Sequence, residues 1–427
     1  MISLIFEDEL YSRFYPLAYT RPVYELKCGA YAIADRIALS SGGGLRAACR
    51  PQLAKLASKL RPGLRVNDPS SIDDDVLLVN SRAVPTEASL SELARRGVLW
   101  TRGGQLVACL LKEAEARELW DLVASGRGGD LVLRLRGLGF EAREAEGVEL
   151  LKGPWDLVRL SPELLGRDLA SMPRRAGGVV EEGAVVKGEL SNLIIEEGAV
   201  VEPLCLIDLR KGPVFIGSGS VVESGSRVEG PAYIGRGVLV RGAYVRSGCV
   251  IGDHCRLGGG GEVEASILHG YVNKYHLGFL GHSYVGEWVN VAAATTNSDL
   301  KNTYGTVRVA APGGRVDTGM TKLGCFIGDH AKTSVGTAIY TGVKVGVCSH
   351  VHGFVVRGVP SFTIWAESLG RRPVELRLED AIKIARRVKE RRGAELSSEE
   401  EEVLRAVFKE TEGERAEAGV VKGEFRL

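Results

Sequence analysis

The sequence predicts an α/β unit followed by a parallel β-helix of hexapeptide coils and closed by C-terminal helices. Three observations predict it. Strand-length apolar runs alternate with helix-like runs to about residue 172, branched aliphatics recur every six residues from 179, and a helical period takes over from about 375. The boundaries drawn from these changes are 1–172, 173–365 and 366–427.

In the first part, "ISLIF", "VLLVN", "QLVACLL" and "DLVLRL" read as strands, and "QLAKLASKL", "EASLSELARRG" and "EARELWDLVASG" as helices. Their alternation argues for a layered α/β domain. Gly97 falls where a helix C-cap belongs, Ser161-Pro162 reads as an N-cap with a first-turn proline, and "RRAGG", 174–178, reads as a linker.

From residue 179 the period is six. Ile216, Val222, Val228, Ile234 and Val240 keep one phase; Val245, Ile251, Leu257 and Val263 follow one residue out of step; Ile327, Ile339, Val345 and Val351 resume it. Neither a helix nor an alternating two-faced strand has this period. A solenoid of triangular coils, each about eighteen residues long, does. The period breaks at 264–284 and 296–325, and breaks in a solenoid predict loops on a binding face. Beyond 375, "LEDAIKIARRVKERRG" and "SSEEEEVLRAVFKETEG" read as helices, with Ser398 and Glu401 spaced as a capping box and Ile382, Val403, Leu404 and Val407 as an apolar covering face.

Composition bounds the function. Fifty-five basic against fifty-four acidic residues leave +1, with no basic block to suggest nucleic acid or an anionic membrane. No apolar run has the length of a membrane span or the form of a signal peptide, so a cytoplasmic location is expected. The eight cysteines lack a C-x-x-C pair and read as buried thiols. Only Gln52 and Gln105 are glutamine and charged residues are plentiful, a composition expected of a thermophile.

The first break holds three of the seven histidines, in "HGYVNKYHLGFLGHSYVGEWVNV", 269–291. Acetylating an amine requires a base that titrates near neutrality, which suits histidine. The elements Lys274–Gly281, Val289–Thr295, Asn302–Gly305 and Lys322 before Ile327-Gly328 resemble, in order, the acetyltransferase half of the bacterial enzyme that makes UDP-N-acetylglucosamine. Acyltransferases of this kind are left-handed parallel β-helices. The resemblance implies acetyl-CoA as cosubstrate, His276 as general base, Lys274, Asn290, Asn302, Tyr304 and Lys322 as substrate-binding residues, and a homotrimer. Phe279 stands where that family carries an aromatic hydroxyl. His269 and His282 read as structural or rim residues.

In the first part, Arg13, Pro16, Leu17, Thr20, Arg21 and Pro22 match in order the opening of the sugar-1-phosphate nucleotidyltransferases. With "FEDE", "YTRPVYELKCG" and "PWDLVRLSPELLGRDL", the chain resembles a divergent archaeal and Bacteroidetes group of bifunctional UDP-N-acetylglucosamine diphosphorylase/glucosamine-1-phosphate N-acetyltransferases. This implies UTP and a sugar phosphate as substrates and Mg²⁺ for nucleotidyl transfer. Arg13, Arg21, Lys27 and Arg82 are the candidate phosphate-binding cations and Asp8 the candidate metal ligand. "FEDELYS" replaces the family's glycine loop and Val23 its lysine. Two other readings stay open here: a metal held between subunits by His254, His276 and His282 as in gamma-class carbonic anhydrases, and a non-catalytic sugar-nucleotide-binding scaffold or regulator.

Overall fold

The computed structural model describes residues 1–173 and 177–426. Most of the stretch read as a linker, 174–176, lies outside the described residues. The N-terminal unit is a seven-stranded sheet in the order Glu141–Glu144, Val98–Arg102, Gln105–Leu111, Val76–Asn80, Ile2–Phe6, Gly44–Ala48 and Arg65–Val66. Ile2–Phe6 pairs in parallel with both neighbours, while Gln105–Leu111 runs antiparallel to both of its own. Its helices are α1 (Ile33–Ser41), α2 (Pro51–Leu60), α3 (Glu113–Glu118), α4 (Trp120–Ala124), α5 (Gly128–Gly137) and α6 (Pro154–Ser171).

Four local readings are corrected. "DLVLRL" lies in α5, because Leu131, Val132 and Leu135 bury one helical face rather than alternating. "EASLSELARRG" forms only a 3-10 turn, Leu90–Leu93, so Gly97 (φ 70°) ends no helix and instead turns the chain into Val98–Arg102. Ser161-Pro162 lies inside α6, which starts at Pro154. The buried Ser161 hydroxyl accepts the Gly29 N–H at 3.0 Å, and Pro162 packs against Gly248 of the solenoid.

The second unit is a parallel β-helix whose strands stack in three sheets. Its inward rows are stacked aliphatics. One runs Ile195, Ile216, Ile234, Ile251, Leu268, Val285, Ile327 and Val345, and another Ile207, Val228, Val245, Val263 and Leu280. Each fully buried aliphatic contributes about 1.5–3 kcal/mol, so the rows supply the solenoid's cohesion.

The third row explains a misreading. It runs Val201, Val222, Val240, Leu257 and then Lys274, a lysine in an inward position with no exposed surface. Residues 264–284 are therefore no projecting loop: Ile267–Leu268, Asn273–Lys274, Gly278–Gly281 and Tyr284–Val285 continue the three sheets without interruption. The break at 296–325 does leave the coil, in a hairpin of Arg308–Ala311 with Gly314–Asp317.

The two units share one apolar core. Phe215, Val250, Ile267, Tyr284 and Phe326, on the outer face of one solenoid sheet, pack with Phe14, Leu17, Val158 and Leu165 of the N-terminal unit. Polar contacts pin the same seam. Thr20 Oγ1 donates to Asp329 Oδ2 at 2.6 Å, Arg21 pairs with the same carboxylate, and the Lys27 N–H reaches Tyr284 Oη at 2.8 Å.

The C-terminal helices are α7 (Leu378–Glu390), α8 (Ser398–Glu410) and α9 (Glu412–Glu417). Ile382, Val403, Leu404 and Val407 enter the shared core, and α8 packs on α2. The capping box is one residue earlier than the spacing suggested: Ser397 accepts the Glu400 N–H, and Glu400 accepts the Ser397 N–H at 2.8 Å. Among the described residues, no helix is long and apolar enough to cross a membrane. All eight cysteines are free and buried.

Candidate functional site

His276 stands where the chain leaves one solenoid sheet and turns toward the next, at Gly278–Gly281. Its ring is exposed and meets the Tyr275 ring edge-on at 5.8 Å. Its backbone is held from below, where Lys274 Nζ donates to the His276 carbonyl oxygen. Burial brings the Lys274 ammonium down to about 8. Lys274 is thus a support beneath His276, and the expectation that it grips a sugar phosphate is corrected: its ammonium has no exposed surface to offer.

The four glycines 258–261 of the preceding coil make this possible. Gly259 has φ 55°, and a Cβ there would stand 3.2 Å from His276 Cα; one on Gly261 would meet the Lys274 ammonium at 3.1 Å. Side chains here would push the histidine off its seat. On the other side, the Ala294 N–H donates to the Leu277 carbonyl at 2.8 Å, seating the turn on the next coil.

At the far end of Gly278–Gly281 lies a group that sequence reasoning passed over. His282 Nδ1 is 2.8 Å from Asp299 Oδ2, and the Glu264 carboxylate accepts from Arg246 Nη1 at 2.7 Å. The His282 contact, with Lys322 nearby, holds the Asp299 carboxyl below its usual range. Donor atoms of Glu264, His282 and Asp299 lie within 4.8 Å of one another, the single such trio among the described residues. Glu264 is paired with Arg246 and Asp299 with the His282 ring, so these groups are already engaged with protein partners. His254 belongs to another corner, stacked on Tyr271 at 4.7 Å, and the trio His254, His276 and His282 forms no common site. Within one chain, then, the carbonic-anhydrase reading has no ready-made ligand set.

Of the other candidates, Asn290 accepts from Asn273 Nδ2 at 2.8 Å, outward on the sheet that leads into His276. Asn302 and Tyr304 are exposed on the excursion that carries the hairpin, Tyr304 at 74%. Lys322 is exposed opposite Leu300 at the base of that excursion. Among the described residues no hydrogen bond or ion pair joins Asn302, Tyr304 or Lys322 to His276.

In the N-terminal unit the predicted cations are mostly spent on structure. Arg82, 1% exposed, binds both Asp8 oxygens and donates to the Leu151 carbonyl at 2.6 Å. Asp8 also accepts from Asn80 at 2.8 Å and from the Leu10 N–H at 3.2 Å. Every lone pair that would face a metal is occupied, so these residues do not fit a magnesium site, and Asp8 as metal ligand and Arg82 as phosphate ligand are corrected to a buried pair. Glu7 and Arg50 form a second pair beside it. Arg21 is committed to Asp329. Arg13 is half-buried, its carbonyl accepting from Lys344 Nζ at 3.3 Å. Lys27 lines a cleft of about 320 Å³ between the units, where Glu25, Asp35, Asp253 and Glu287 compete for any cation.

Residues 3–175 match the sugar nucleotidyl transferase family. The chain is 32% identical over 193 residues to the bifunctional protein GlmU of Methanocaldococcus jannaschii, covering 45% of this chain and 40% of that one. It is 33% identical over 199 residues to a bifunctional sugar-1-phosphate nucleotidylyltransferase/acetyltransferase of Sulfurisphaera tokodaii, covering 47% and 43%. The matches thus span less than half the length of these relatives. Among solved structures, the UDP-N-acetylglucosamine acyltransferase of Francisella novicida aligns at 15% identity and a TM-score of 0.29, over 57% of this chain and 94% of that one. Residues 3–175 thus match the sugar nucleotidyl transferase family model, and just under half of the chain is similar to bifunctional sugar-1-phosphate nucleotidylyltransferase/acetyltransferases.

Proposed function

We propose that the solenoid transfers an acetyl group from acetyl-CoA to the amine of glucosamine-1-phosphate, with His276 as general base. The observation that carries this is an exposed imidazole on a backbone fixed from both sides, by Lys274 below and the next coil above. The substrate nitrogen attacks the thioester carbonyl and His276 takes its proton. As the C–N bond forms and the C–S bond breaks, the imidazolium returns that proton to the departing thiolate. Positioned proton transfer of this kind is worth about 10²–10⁴ in rate. Asn290 is the candidate to orient the sugar, and Asn302, Tyr304 and Lys322 are candidates to reach it from the excursion. A homotrimer, in which a neighbour's face closes the site, and a cytoplasmic location complete the reading.

Uridylyl transfer from UTP to the acetylated sugar phosphate is the second reading, supported by the family match over residues 3–175. Arg13 and Lys27 are the cations left for it. The test is thiol release from acetyl-CoA with glucosamine-1-phosphate, for the wild type and His276→Ala, with UTP and magnesium in a parallel reaction and products identified by mass. Acetylated sugar phosphate that disappears in the variant supports acetyl transfer, and a UDP-sugar in the parallel reaction supports the second activity. A folded wild type that makes neither product overturns both.

A further inference from the structure

One row of outward-facing side chains on the solenoid has an unusual composition. In register, coil upon coil, stand Arg256, Asn273, Asn290 and Lys332. The end of α7 crosses in front of this row and brings Arg391 and Arg392 to it, enclosing a pocket of about 330 Å³. That is the lower end of the size range of small-molecule sites.

Four cations and two amides therefore converge on one cavity whose lining holds no carboxylate. In most of this chain an arginine beside a pocket is answered by an acid, as Arg21, Arg61 and Arg236 are. Among the described residues, none of these four cations forms an ion pair. Lys332 Nζ donates to the His330 carbonyl at 2.9 Å and Arg392 to the His254 carbonyl, which leaves each with further donors directed elsewhere. Tyr271 and Trp288, stacked at 3.9 Å, wall one side, and Lys389 and Arg392 lie over their faces and fix the helix end in place. Like charges brought this close without a counter-ion cost stability, and a bound anion would relieve that cost.

We infer that this pocket binds the phosphate groups of a phosphorylated small molecule, with the C-terminal helix supplying half of its cations. Guanidinium forks suit phosphate oxygens, and the two amides suit hydroxyl or ester oxygens beside them. Asn273 is three residues from His276, at most about 10 Å along an extended chain, so a molecule anchored here by phosphate lies beside the histidine. The inference does not rest on His276 acting as a base. The phosphate has two possible sources, a sugar phosphate or the nucleotide portion of an acyl carrier.

The experiment is titration calorimetry on the full-length protein with three probes: sodium pyrophosphate, glucosamine-1-phosphate and adenosine 3′,5′-bisphosphate. The variants are Arg391→Gln/Arg392→Gln on the helix, Arg256→Gln on the solenoid, and Arg386→Gln, whose side chain pairs with Glu401 away from the pocket, as control. At least one probe should bind the wild type and Arg386→Gln equally, and bind tenfold or more weakly to both pocket variants. The probe that weakens most identifies the source. His276→Ala should bind as the wild type does even where turnover is lost, which separates failure of this inference from failure of the acetyl-transfer reading. The inference is overturned if no probe binds, or if the pocket variants bind as tightly as the control.

Discussion

Lys274 lies directly beneath His276, its ammonium donating to that residue's own carbonyl from an inward position that aliphatic residues occupy in the coils before it. A charge in this place trades stability for a fixed turn. Because burial brings the lysine down to about 8 from 10.5, the folded protein is penalised for holding it protonated below about pH 8, and the penalty fades as pH rises toward 10. Wild-type stability should therefore climb through that window, and Lys274→Met should flatten the climb. Chemical denaturation at pH 7, 8.5 and 10 reads this. If His276 acts as proposed, kcat should fall in the variant with little change in KM.

The glycine loop offers a sharper probe of geometry. Gly259→Ala adds a single methyl at φ 55°, 3.2 Å from His276 Cα. The strain should cost about 1–2 kcal/mol of stability, while acetyl transfer should fall at least tenfold as the turn shifts. Gly242→Ala, at φ 58° with no atom within 4 Å, should cost similar stability and leave turnover intact.

Asp8 and Arg82 predict a stability defect rather than a metal defect. Asp8→Ala strands a buried guanidinium and should cost about 3–5 kcal/mol. Added magnesium should leave the wild-type melting temperature unchanged, since a ligand stabilises only where it binds the native state. A magnesium-dependent rise in melting temperature that Asp8→Ala removes would restore Asp8 as a metal ligand.

The pairing of His282 with Asp299 sets an acid limit. The Asp299 carboxyl is held below its ordinary 3.8, so its contribution is complete above that pH and is lost as pH falls through the lowered value. Asp299→Asn should weaken the protein by about 1–2 kcal/mol at neutral pH, with the gap to wild type closing in acid as the carboxyl takes up its proton. Thermal melts across pH 2.5–7 measure the difference.

The hexad period made the solenoid legible, because aliphatics at every sixth position have no other periodic explanation. It hid the coil that matters most, since an inward lysine at 274 looks like a break in the pattern. His276 was legible through its neighbours. The row from Arg256 to Lys332 was not, because its members are 17, 17 and 42 residues apart and become adjacent only once the register is known. The buried pair of Asp8 and Arg82 was also invisible: an acid and a base at strand ends read equally well as ligands or as partners. "DLVLRL" misled for a simpler reason, as short apolar runs fit helix and strand alike.

The shared core across the seam has a practical consequence for anyone who would divide this chain. Phe215, Tyr284 and Phe326 form a continuous aromatic and aliphatic wall that the N-terminal unit covers. A solenoid fragment beginning near residue 177 would carry that wall bare into solution and should precipitate or self-associate. The two halves are thus one cooperative material, and an engineer seeking a minimal catalyst would have to repaint the wall with polar residues before cutting.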